Sequence, residues 1–187
     1  MIPVLESARL VLRPLELADA ARTQEIFPHW EIVKYLNDRV PWPYPEGAAH
    51  DYYSNVALPA MARGEEWHWT LRLMESPEEH IGAISLMKGE NNRGFWLGLP
   101  WHGRGLMSEA ADVVTDFWFH DLGMSVLRVP KAAGNMASRK ISEKQGMRVI
   151  RTEEKDYVGG RFLTEVWEIT TEEWKARRLQ SRGASEI

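Results

Sequence analysis

The sequence predicts an α/β domain of the α+β kind, with a mixed sheet flanked by helices and not a purely parallel one. Three observations carry this. Short alternating segments recur along the chain, several of them joined by turn signals into hairpins. Segments of helical period interrupt them early, in the middle and late, so hairpins and crossovers share one sheet. The 187 residues fit a single domain, 1–187, with a sizeable core and little room for a second.

In order, Arg9 to Leu15 alternates as a strand ended by Pro14. Leu17 to Phe27, with Asp19 near its start, has helical spacing, and Glu31 to Leu36 forms a second short helix. Asn37 to Pro45 holds three prolines around Trp42-Pro43-Tyr44 and is a loop. Glu46 to Arg63 is spaced as a helix through Tyr52, Val56 and Met61 and stops at Gly64. Trp67 to Leu73 alternates as a strand, Ser76-Pro77 turns, and His80 to Met87 pairs back. Phe95 to Leu99 is an apolar strand, followed after a glycine-rich turn by a helix from Met107 to His120. Val126 to Pro130 is a strand, and a short helix opens at Asn135 and stops at Gly146. Strands at Arg148 to Glu154 and Phe162 to Ile169, joined through Gly159-Gly160, finish the sheet. Thr170-Thr-Glu-Glu starts a capped helix leading into a charged tail, from about residue 176, that is expected to fray.

Composition narrows the function classes. A formal charge of −4 and no Lys/Arg-rich run argue against nucleic-acid binding. Cysteine is absent, which removes disulfides, a thiolate nucleophile and a Cys-ligated zinc site. The first residues lack the basic start and apolar core of a signal peptide, and no apolar run approaches the ~20 residues of a membrane helix. No membrane partner and a cytoplasmic location are the expectations.

The segment Phe95 to Ala110 is the most informative. A strand breaks at Pro100 and passes through Gly103 and Gly105 into a helix. First-turn N–H groups have no partner within the helix, and the helix dipole favours an anion there. The third glycine of a dinucleotide fingerprint is missing, and no Gly-Lys-Ser/Thr follows. A tight turn without a ligand is the competing reading of two glycines alone. A second segment, Arg128 to Met147, reads as strand, loop, short helix and glycine stop.

Here the chain resembles the GNAT acetyltransferase superfamily, in the branch similar to the RimJ/RimL ribosomal-protein alanine acetyltransferases. That branch carries a pattern close to Asn-x-x-Ser-x-x-hydrophobic-x-x-Lys-x-Gly-Phe, met by Asn135, Ser138, Ile141, Lys144 and Gly146, with Met147 for the phenylalanine. Gly103 and Gly105 match the superfamily's pyrophosphate loop, Gln/Arg-x-x-Gly-x-Gly/Ala, whose first residue is replaced by Pro100. Similarity extends from Leu10 to about Trp167.

The resemblance implies a mixed, mostly antiparallel sheet of about seven strands that splays beside the fourth. Acetyl-CoA would lie in the V-shaped opening as co-substrate, without a metal. Its contacts would come from Leu97, Gly98, Leu99, His102, Gly103, Arg104, Gly105, Leu106, Met107, Asn135, Ser138 and Lys144. The reaction implied is transfer of the acetyl group to a primary amine by direct attack in a ternary complex. The acceptor stays open among a protein N-terminus, an amino acid, a polyamine and a drug-like amine, and a homodimer is compatible with the family. Ser142 occupies the place where many members put a tyrosine acid, so it is the expected proton donor to the thiolate. A glutamate base is often found just before the Gly-Tyr/Phe-Trp-Leu strand, where this chain has Asn92. A water chain or a side chain from elsewhere, with Glu90, His68 and His102 as candidates, would then do the job, or an amine of low enough pKa would need no dedicated base. Trp30, Trp42 and Tyr44 fall where the branch builds its acceptor pocket, whereas Trp118 and Trp167 fit core positions. Two rival readings are a CoA-binding module without turnover and a partner-binding domain with an empty loop.

Overall fold

Alternation of apolar and polar residues builds antiparallel ladders, and in the computed structural model, which describes residues 1–183, they form two sheets. The larger runs β1 (Leu5–Glu6), β2 (Leu10–Pro14), β3 (Glu66–Leu73), β4 (Gly82–Met87) and β5 (Arg93–Leu97) in sequence order. The smaller has the order β6 (Val126–Ala132), β8 (Gly160–Thr170), β7 (Arg148–Tyr157). The eighth strand, β1, is a two-residue ladder onto Leu12 and Val11, too short to show a period in the sequence.

The expected splay separates β5 from β6, which share no ladder. Asn92 joins them at one end. Its N–H donates to the Arg128 carbonyl (2.8 Å), and its Oδ1 accepts from the Arg128 N–H (2.7 Å). Its Nδ2 donates to the carbonyls of Met87 (3.1 Å) and Gly89 (2.9 Å). Both strands run away from this junction in the same direction, and no further backbone bond between them is found among the described residues. A V-shaped opening results.

One face of the large sheet carries Trp67, Trp69 and Leu71 against α5 (Leu106–His120), with Trp69 and Phe117 edge to face at 5.3 Å. Trp118 and Trp167 lie in this core, as expected, and α7 (Thr171–Gly183) covers it with Trp174, whose indole N–H donates to Asp116 (2.8 Å). Helix α7 extends past the expected start of the frayed tail, and 184–187 lie outside the described residues. The other face carries α1 (Ala20–Ile26), α2 (Trp30–Val33), α3 (Ala48–Tyr52) and α4 (Leu58–Ala62).

The single helix expected from Glu46 to Arg63 is divided: α3 and α4 flank a wide π-type turn at Tyr53–Ala57. Pro59 explains this, because it has no N–H to bond the preceding turn and its ring crowds the carbonyl of residue 55. Widening the turn accommodates both effects.

Asn92 fixes where the sheets meet. Asn92→Ala removes the acceptor of the Arg128 N–H and the side-chain donor to two carbonyls, at about 0.5–1.5 kcal/mol per hydrogen bond lost. Chemical denaturation should show a loss of about 2–4 kcal/mol; a loss below about 0.5 kcal/mol would contradict this role.

Candidate active site at the opening between the sheets

Where β5 ends, the chain is tightly pinned. The Leu97 carbonyl accepts a hydrogen bond from His102 Nε2 (2.7 Å), which sets the tautomer of that exposed ring, since a carbonyl only accepts. Gly98 donates its N–H to Ile81 (2.9 Å), and a Cβ there would stand 2.7 Å from the Trp101 ring. Leu99–Trp101 form a 3-10 turn with Pro100 in its second position, so the proline that departs from the family pattern shapes the approach to the loop. Gly103 and Gly105 have φ of +73° and +77°, a region that costs other L-residues about 1–2 kcal/mol. Gly105 caps α5, and the first bonded amide is that of Glu109, onto the Gly105 carbonyl (3.2 Å). The amides of Leu106, Met107 and Ser108 are left free for an anion, at the positive end of a 15-residue helix.

Arg9 holds this loop in place. It donates through its backbone N–H (2.7 Å), Nε (2.8 Å) and Nη2 (2.8 Å) to the Glu109 carboxylate, and through Nη1 to the Arg104 carbonyl (3.0 Å). Burial alone would raise the Glu109 carboxyl, but the bonds from Ser7 and Arg9 outweigh it and hold it below its ordinary value. The Arg104 side chain is exposed beside the loop. The Arg9 clamp carried no sequence signal, because its partners are about 100 residues away.

Across the opening, Asn135 Oδ1 accepts from the Ser138 N–H (3.2 Å) and caps α6 (Met136–Lys144). Ser138, Ile141 and Ser142 face inward, while Lys144 is exposed on the outer side. Ser142 is wholly buried and its Oγ has no hydrogen-bond partner. Two basic side chains lie under this helix. Arg93 of β5 donates Nη1 to Thr115 (3.0 Å) and Gln145 (2.8 Å), with Nε and Nη2 unpartnered. Burial, only partly offset by Asp112, pushes its pKa down to about 10. Lys131 of β6 donates Nζ to Ser138 Oγ (2.7 Å), and burial, with Arg93 nearby, pushes its pKa well below the ordinary lysine range.

On the other face, Trp96 of β5 packs edge to face on Phe27 (5.0 Å), which packs likewise on Tyr44 (5.0 Å). Burial raises the Tyr44 phenol to about 12. Trp30 and Trp42 form an exposed pair, ring centroids 5.8 Å apart. The three aromatic residues are thus divided, two at the surface and one packed inward.

The base candidates fare differently. Asn92 is consumed by the junction. Glu90 is exposed in the β4–β5 turn, 3.7 Å from Arg151. His68, paired with Glu66, sits on β3. The intervening β4 puts it about 10 Å from β5 at ~4.8 Å per strand, beyond the ~3 Å reach of direct proton transfer.

The loop's rigidity depends on Arg9. Arg9→Ala frees the Arg104 carbonyl and unpairs Glu109, so affinity for acetyl-CoA, the ligand implied by the resemblance, should fall about tenfold in calorimetry. An unchanged affinity would show that the loop holds its shape alone.

Comparison with known proteins bears on this geometry directly. The family profile of the acetyltransferase (GNAT) domain matches residues 9–148. A curated relative, the probable N-acetyltransferase YjcK of Bacillus subtilis (strain 168), is 23% identical over 164 residues, 76% of this chain and 82% of the relative. Among solved structures, Mycobacterium smegmatis RimJ in complex with a CoA disulfide superposes with a TM-score of 0.79 at 18% identity, covering 97% of this chain and 95% of that one. RimL, a ribosomal-protein α-N-acetyltransferase in complex with coenzyme A, gives 0.75 at 15% identity, covering 90% and 97%. The free helix-terminal amides, the splayed strands and the family match agree: the chain belongs to the GNAT acetyltransferase family, acyltransferases that use acetyl-CoA.

Proposed function

We propose that this protein transfers the acetyl group of acetyl-CoA to a primary amine, at a protein N-terminus or on a small molecule, by direct attack of the amine on the thioester. The observation that carries the reading is the juxtaposition of a phosphate-type loop at the far end of β5 with an unpartnered buried hydroxyl, Ser142, on the helix across the opening. The amides of Leu106 and Met107 and the charge of Arg104 hold the pyrophosphate. Leu97 to Leu99 run beside the pantetheine arm, and Asn135 and Ser138 bind its other side. Ser142 donates a hydrogen bond to the sulfur as the C–S bond breaks. RimJ and RimL, with the same fold, support a protein N-terminus as one acceptor class. We place the activity in the cytoplasm.

The test is direct. Acetyl-CoA should raise the thermal midpoint, because it binds only the native state. A panel of amines and N-terminal peptides should then release CoA thiol, and failure of every acceptor would remove the enzymatic reading.

Ser142→Ala separates chemistry from binding. Deleting an unpartnered buried hydroxyl leaves no orphan behind, so the thermal midpoint should hold or rise. Turnover should fall by about 100-fold or more with acetyl-CoA affinity unchanged. A loss within about twofold assigns the role elsewhere.

Trp42→Ala removes half of the exposed Trp30–Trp42 pair. If acceptors enter there, their KM should rise about tenfold, or the preferred acceptor should change, with acetyl-CoA binding intact. An identical acceptor profile would move the entrance away from this pair.

A further inference from the structure

Asn92 leaves the reaction without a proton acceptor at the usual place, yet an amine and a serine are buried together inside the opening. Asn92 and Arg128 mark the junction, and three residues along each strand stand Phe95 and Lys131. At ~3.3 Å per residue these two lie about 10 Å into the V. Lys131 Nζ sits 5.4 Å from the centroid of the Phe95 ring and 2.7 Å from Ser138 Oγ, its one hydrogen-bond partner among the described residues. Ser142 follows Ser138 by one helical turn on the same buried face.

We propose that Lys131, acting through the Ser138 hydroxyl, takes the proton from the attacking amine and returns it to the departing CoA sulfur. The inference rests on the acetyl-transfer reading above. As the amine nitrogen bonds the carbonyl carbon, its proton passes to Ser138 Oγ while the hydroxyl's own proton passes to Nζ. The C–S bond then breaks, and the ammonium returns the proton through Ser138 to sulfur, while Ser142 donates its hydrogen bond there. One C–N bond replaces one C–S bond, and the protein ends as it began.

The surroundings suit a shuttle better than a structural ion pair. No carboxylate pairs with Lys131 among the described residues. Glu165, its partner across the β6–β8 ladder, is bound to Arg139 (2.9 Å) and to the Trp167 indole N–H (3.2 Å). On β5 the facing charge is Arg93, whose own nearby carboxylate is Asp112 on α5, which accepts from Gln145 (2.9 Å). Burial and Arg93 therefore favour the neutral amine, the form that accepts a proton. The Phe95 ring gives the transient ammonium a cation–π contact, typically about 0.5–2 kcal/mol.

The sign of the pH effect follows. The neutral form is active, so turnover rises with pH through the folded-state pKa of Lys131. Two amine acceptors of different basicity should share that rising limb, since it belongs to the enzyme. Lys131→Met should lower kcat by about 100-fold, abolish the shared limb and leave acetyl-CoA affinity within about twofold. Lys131→Arg, which keeps a charge but cannot release it, should be equally slow. In the unfolded chain the lysine is protonated up to about 10.5, so the methionine variant should be the more stable at neutral pH, by a margin that shrinks as pH rises toward that value. Turnover of Lys131→Met within about twofold of the parent, with the limb retained, overturns the proposal. So does NMR titration of the intact protein showing Lys131 still charged at pH 9, a measurement independent of how the variants fold. Wild-type protein that neither binds acetyl-CoA nor releases thiol would instead overturn the acetyl-transfer reading; a normal wild type with an unaffected variant removes Lys131 alone.

Discussion

The structure hinges on the five hydrogen bonds of Asn92. A strand pair running in one direction would ordinarily ladder along its whole length, and here the pairing stops where the asparagine side chain takes over the Arg128 amide. An asparagine fits this place because it accepts and donates at once: its oxygen faces β6 while its amide nitrogen closes the β4–β5 turn through Met87 and Gly89. A glutamate would be acceptor-only when ionised and would leave both turn carbonyls unmet. Asn92, which stands where the resemblance implies a glutamate, is thus the residue the junction requires.

Beyond the junction the opening is lined in an uncommon way. Arg93 and Lys131 are both buried, and isolated charges in such surroundings are expensive. Each site offsets the cost differently. Arg93 shares Thr115 and Gln145, with Asp112 one hydrogen bond further out, so its charge is spread through a connected network. Lys131 has only a serine, and burial with Arg93 nearby shifts it toward its neutral form. Arg93 Nε and Nη2 and, on α6, Ser142 Oγ stay buried without a hydrogen-bond partner among the described residues.

What could be read from the sequence was what depends on near neighbours. The strand–glycine–helix cassette was visible because Gly103 and Gly105 meet a backbone requirement local to the loop. The Asn135 cap was visible because it acts on a residue three positions away. The apolar spacing of Glu46–Arg63 gives an unbroken helix, whereas the structure shows a widened turn just before Pro59, whose missing N–H apolar spacing does not register. The Arg9–Glu109 clamp was invisible, because an arginine at a strand's edge and a glutamate in a helix's first turn are each ordinary alone. Lys131 escaped notice for a related reason: a lysine in a strand usually reaches solvent, and only the packing of α6 over β6 encloses this one.

Charge placement ties the site together. The chain is acidic overall, at −4, yet the cofactor implied by its family is itself strongly anionic. Net charge therefore opposes the encounter, and local field has to overcome it. At the loop that field has three sources: the free amides of Leu106 to Ser108, the α5 dipole behind them and the Arg104 side chain. Arg9 adds little net charge because Glu109 cancels it, so its contribution is geometric, holding the amides convergent. Screening at physiological salt acts over about 8 Å, which weakens the repulsion from distant acidic residues more than contacts made within the loop. An acidic protein can in this way bind an acidic ligand, provided the binding groups are backbone amides fixed before the ligand arrives.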